Sequence, residues 1–189
     1  ECAKVSGTAY VIKLRQGVKW SDGNRFTSND VKYTIDRLKE SNNSVYASNV
    51  SSIQEVDIID NYTLRIILSK EIDNFEYYLN FPILSSNYYL NTDFWNTEKN
   101  KAPTTTGRFK ISDVTNNTII LEKNANWWNK EDTSVIQKIT INLYSTVAEL
   151  YNAFKMGSID LISTENTAYE QYIGTIGYDL TQIDGKEYV

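Results

Sequence analysis

Between Leu14 and Leu38 the sequence runs LRQGVKWSDGNRFTSNDVKYTIDRL, and the order of residue types leaves it few ways to fold. Just upstream and overlapping it, YVIKLR (Tyr10–Arg15) alternates along the chain as a strand does. SDGN (Ser21–Asn24) then gathers the residue types of a tight turn. In TSNDVKYTIDRLKE, Thr27 followed three residues on by Asp30 is a shortened capping box, and Val31, Ile35 and Leu38 repeat at helical spacing. The segment is therefore predicted to be strand, turn and helix in close succession. Asp22 and Asp30 flank the turn and raise the question of a reactive carboxylate pair. Each has a local role without the other, Asp22 in Asx turn chemistry and Asp30 at a helix N-terminus, so both are assigned to the scaffold.

Further along, IQEVDII (Ile53–Ile59) and YTLRIIL (Tyr62–Leu68) read as strands joined across Asp60-Asn61, and EIDNFEYYLNF (Glu71–Phe81) as a helix. RFKISDV and TIILEKN flank Asn116-Asn117, a second hairpin signal, and KITINLY (Lys138–Tyr144) is another strand. In STVAELYNAFKMG, Thr146 and Glu149 form a capping box, Val147, Leu150, Tyr151 and Phe154 form one apolar stripe, and Gly157 stands where a helix-ending glycine belongs. SIDLIST is read as a strand after it, which makes a short strand–helix–strand unit. The class is mixed α and β.

Composition closes off several functions. A net charge of −5 without a basic run argues against nucleic acid, whose phosphates need Lys and Arg. With Cys2 the only cysteine and no histidine, nucleophile–imidazole chemistry is excluded and no metal site is expected. No apolar run reaches the roughly 18 residues of a membrane span. Chemistry would fall to carboxylates, yet nothing in the spacing of Asp22, Asp30 or Glu165 marks the facing pair that a glycoside hydrolase requires. The enrichment is in aromatics, 14 Tyr and 4 Trp, most of which are assigned to cores and strands. Trp127-Trp128 is likewise read as structural rather than as a sugar-stacking platform.

The motif order resembles the extracellular solute-binding proteins of the oligopeptide- and dipeptide-binding family, which serve ABC importers. The strand–turn–helix of that family has an L-R stretch, a K-W/F-x-D-G turn and T-A-x-D-V, matched here with Ser28 in place of the alanine. TTTGRFKISDV resembles its G-T-G-P-Y segment, with Thr104 or Thr105 for the glycine and Arg108 for the proline. LEKNANWWN and AELYNAFKMGSIDLIST resemble two further family segments, so four motifs follow in order along nearly the whole chain.

The resemblance implies a fold like the type II periplasmic binding proteins, with residues 1–88 as a smaller accessory lobe and 89–189 as the middle segment of the first ligand-binding lobe. The chain would be an internal portion of a longer receptor, with Cys2 in a first strand and any lipid anchor elsewhere in the parent. It implies an extracytoplasmic receptor, cell-surface or periplasmic, that captures oligopeptides or dipeptides by lobe closure. Its partners would be the peptide and the ABC permease, with no enzyme activity and no cofactor. Ligand contact is expected at Tyr46 in SVYASN, at Ser163, Thr164 and Glu165 after SIDLI, and at Tyr188. Asp160 is expected to orient a strand end. The rival readings are the same receptor carrying a metal complex or an oligosaccharide, and a cell-surface interaction module using its tyrosines.

Overall fold

The computed structural model describes residues 1–41, 43–163 and 177. The chain divides into two compact units, Glu1–Asn142 and Leu143–Val189.

The first unit holds two antiparallel sheets. One is built from β1 (Cys2–Lys4), β2 (Ala9–Lys13), β3 (Ile53–Asp60) and β4 (Thr63–Leu68), in the spatial order β1-β2-β4-β3. Helix α1 (Ser28–Glu40) and the short helix α2 (Ala47–Val50) lie with this sheet. Alternation sets the core: Tyr10, Ile66 and Val56 pair across three strands, so they share a face, and all three are buried. Val31 and Ile35, one turn apart on α1, join Val50, Leu64, Leu68, Phe75 and Phe81 in the same cluster. The hairpin falls one residue later than its turn signal suggests, at Asn61 and Tyr62, where the Asp60 carboxylate accepts from the Tyr62 amide at 2.7 Å.

Glu71–Phe81 is not a full helix. It makes a short 3-10 turn, Phe75–Tyr78, entered through Asn74 at φ 54, a left-handed conformation that ends rather than starts an α-helix. Asp73 and Asn74 are residue types that compete with a helix by bonding nearby backbone, and the apolar count of the segment masks that. Phe75 is nonetheless fully buried.

The second sheet joins β5 (Phe109–Val114), β6 (Thr118–Lys123) and β7 (Lys138–Asn142) in sequence order. Its rows Ile111–Leu121–Ile139 and Val114–Ile119–Ile141 lie on one side, as period-two alternation requires.

In the second unit, α3 (Val147–Lys155) starts where the Thr146 hydroxyl accepts from the Glu149 amide at 3.2 Å. It ends on Gly157 at φ 68, with Gly157 N donating to Phe154 O and Ser158 N to Ala153 O, a Schellman closure. Residues 158–163, expected to open a strand, take no strand conformation. Strand structure needs a neighbour to exchange hydrogen bonds with, and none of the described residues supplies one.

One carboxylate ties three separate segments of the first unit together. Asp30, 2% exposed, accepts from the Thr27 amide (2.8 Å), the Trp20 indole (3.2 Å), and both the amide and the hydroxyl of Ser86 (2.8 Å each). Asp30→Ala strands all of these donors, the indole in fully buried surroundings and the others in half-buried ones. It should lower stability by about 3 kcal/mol or more in urea unfolding of the chain. A loss under about 1 kcal/mol would show that water replaces the carboxylate freely.

Tyr89 is 3% exposed and packs edge-on against Tyr88 and Phe94. Burial first, then the neighbouring Tyr88 and Tyr33 phenols, pushes its pKa from 10.0 up to about 12. Because the folded value lies above the unfolded one, the neutral phenol stabilises the fold fully below pH 10, and that contribution is lost as pH rises through about 12. Absorbance titration should therefore show a late tyrosine ionisation that disappears in Tyr89→Phe.

Candidate functional site

Three segments that stand far apart in sequence meet around Ser21. The turn that carries it is held by Gly23 at φ 92 and by the Asp22 carboxylate, which accepts from the Asn24 amide at 3.0 Å. Ser21 N donates to Thr105 O (2.8 Å), Thr105 N donates to Ser21 Oγ (3.2 Å), and the Ser21 and Thr104 hydroxyls pair at 2.8 Å. Asn126 closes the group by donating Nδ2 to Ser21 O at 3.3 Å. Next to it Asn124, 2% exposed, donates to Gly107 O and accepts from the Asn126 amide. The K-W-S-D-G turn, the T-T-T-G segment and the N-A-N-W-W segment thus form one polar junction between the two sheets. Its polar atoms face each other, which is the arrangement of a scaffold.

The tryptophan pair belongs to the same junction. The Trp127 and Trp128 rings lie 4.9 Å apart and tilted, and the Arg15 guanidinium sits 4.3 Å over the Trp128 ring. One face of Trp128 is therefore already occupied by a cation. The carboxylates Asp22 and Asp30 do not form a reactive pair: one is an exposed turn former and the other is buried under four donors.

Tyr46 lies at the start of α2, half-buried and packed against the core of the first sheet. The ring is thereby anchored, and its hydroxyl has no protein partner among the described residues. The loop that carries it is braced by the Ser44 hydroxyl, which accepts from the Tyr46 amide at 3.2 Å. Asn49, one turn on, donates its amide to Tyr46 O at 3.1 Å. Ser163 is exposed, as is Asp160, and both lie in the second unit. Thr164, Glu165 and Tyr188 lie outside the described residues. Two surface pockets of about 350 and 330 Å³ occur in the first unit, one beside Tyr33 and Leu90 and one beside Trp127 and Asp132. Neither takes in Tyr46 or Ser163. Among the described residues, no group of three or more His, Cys, Asp or Glu is placed to hold a metal ion.

Ser21→Ala removes the hydroxyl shared by Thr104 and the Thr105 amide, and should cost about 1–2 kcal/mol in urea unfolding. No change in the midpoint would mean that the backbone bonds hold the turn unaided.

Residues 4–187 match the bacterial extracellular solute-binding proteins, family 5, middle portion. The periplasmic oligopeptide-binding protein OppA of Salmonella typhimurium is 28% identical over 175 residues, a stretch covering 80% of this chain and 32% of that protein. The glutathione-binding protein GsiB of Escherichia coli (strain K12) is 28% identical over 125 residues, covering 65% of this chain and 24% of that protein. Among solved structures, NikZ from Campylobacter jejuni in complex with Ni(L-His) has a TM-score of 0.82 at 24% identity, over 94% of this chain and 36% of that one. The last likeness shows the type II periplasmic binding-protein fold. The chain spans about a third of the length of the OppA relative.

Proposed function

The chain belongs to the bacterial extracellular solute-binding proteins of family 5, and from that premise we propose that it is part of a receptor that captures short peptides for an ABC importer. Residues 1–88 would be the accessory lobe and 89–189 the middle segment of the first ligand-binding lobe. Capture is by lobe closure on the ligand with no bond made or broken, outside the cytoplasm, and the closed form is what the permease would receive. The observation that carries the peptide cargo is the likeness to an oligopeptide-binding protein along 80% of the chain.

The site side of the reading rests on Tyr46. An anchored ring whose hydroxyl has no partner among the described residues can hydrogen-bond a peptide backbone without selecting among side chains, which a receptor for varied sequences needs. Ser163, Thr164, Glu165 and Tyr188 are proposed as further contacts. For the first three, support comes from the likeness of AELYNAFKMGSIDLIST to a segment of the family.

The test is capture by the full-length receptor. A pool of tri- to pentapeptides is passed over it, and the retained material is extracted and identified by mass spectrometry. Peptides of varied sequence should be recovered, and Tyr46→Ala should weaken binding by about tenfold in calorimetry, on the order of 1.4 kcal/mol. Recovery of a metal complex or a saccharide in place of peptides would keep the receptor and overturn the cargo.

A further inference from the structure

Asn49, three residues after Tyr46 and bonded to its carbonyl, pairs its side-chain amide with that of Asn80. Asn49 Nδ2 donates to Asn80 Oδ1 at 2.6 Å and to Tyr78 O at 3.0 Å, so both of its hydrogens are engaged. Among the described residues its Oδ1 meets only the Ser48 hydroxyl, at 3.5 Å, the far limit of a hydrogen bond. Asn80 has the opposite balance: its Oδ1 is taken, while its two N–H donors have no protein partner among the described residues. Among the described residues, one amide thus offers an acceptor with only that weak contact, and its neighbour donors without a partner; Asn80 is exposed and Asn49 half-buried. Flanking them is the Tyr78 ring, 45% exposed and stacked on the buried Phe75 at 6.3 Å and 15° between planes. The stack fixes a flat apolar surface next to the amides.

The N–H and C=O of one residue in an extended chain point to the same side. An acceptor beside a donor is what satisfies both, as a neighbouring strand does in an antiparallel ladder. We propose that Asn49 and Asn80 form a ledge that holds one residue of a bound peptide through its backbone, with Tyr78 under the adjoining side chain. Asn49 takes the peptide N–H and Asn80 supplies the donor to the C=O. This rests on the peptide cargo proposed above. It adds to Tyr46 a second contact that is indifferent to peptide sequence, since the two amides address the backbone alone.

Two variants separate a ligand role from a merely structural one. Asn80→Asp keeps the acceptor for Asn49 but has no N–H to give, while Asn80→Ala removes both. Calorimetry uses the full-length receptor and the best-retained member of the tri- to pentapeptide pool. Both variants should raise the dissociation constant about 3- to 10-fold, one hydrogen bond's worth. If Asn80→Asp binds as tightly as the unaltered receptor, the ledge is overturned and the peptide cargo stands. That holds even where Asn80→Ala weakens binding, because the tie to Asn49 is then the only role of the side chain. If the unaltered receptor retains no peptide from the pool, the cargo falls and the ledge with it.

Discussion

The first unit is organised around a buried carboxylate. A charge such as that of Asp30 costs several kcal/mol to remove from water unless its lone pairs are met, and here four donors meet them. Those donors come from separate places: a turn (Trp20), a helix start (Thr27) and the segment beyond the 3-10 turn (Ser86). Meeting the charge therefore fixes all three at once. Thr34 extends the same logic, donating its hydroxyl to Asp30 O at 2.8 Å while accepting the Leu84 amide at 2.8 Å. With α1 pinned at its N-terminal half, Val31 and Ile35 are held against the sheet, and the turn is presented at the angle at which Ser21 can reach Thr104 and Thr105.

Much of this frame is legible in the sequence because it is written in local chemistry. The strand before the turn, α1, both hairpins, β7 and α3 with its two caps each depend on residues within one or two turns of one another. Glu71–Phe81 and residues 158–163 depart from their expected elements for one reason. Their apolar content matches an element, but Asn74 takes a left-handed backbone and residues 158–163 have no ladder partner among those described. Conformation at a single residue, and the presence of a neighbour across a sheet, are not properties that periodicity carries.

Long-range polar contacts are the least legible. Asp30 stands at a helix N-terminus, as its capping pattern predicts, but nothing in TSND says that its second oxygen reaches Ser86, fifty-six positions away. A tryptophan ten residues upstream of a capping carboxylate is a usable signal, since a buried indole needs an acceptor. Ser21 and Asn126 meet because the motifs of the family are parts of one junction, and a linear reading takes them singly. Tyr46 is singled out because SVYASN resembles a loop of the family. The amides of Asn49 and Asn80 are not, because their pairing exists only once the 3-10 turn has brought Asn80 beside α2.

The same placements decide how affinity for a peptide would arise. Asn80 is exposed and Tyr46 half-buried in the free protein, and a hydrogen bond formed against water is worth only about 1 kcal/mol net. The same bonds are worth more once water is excluded and the local dielectric falls. The contacts would accordingly add little to the first encounter and much more to the closed complex. Their effect belongs in the dissociation rate, where most differences between related complexes lie. Such an arrangement also tolerates many sequences, because the backbone groups it addresses are the same in every peptide, and discrimination is left to how well closure excludes water around each side chain.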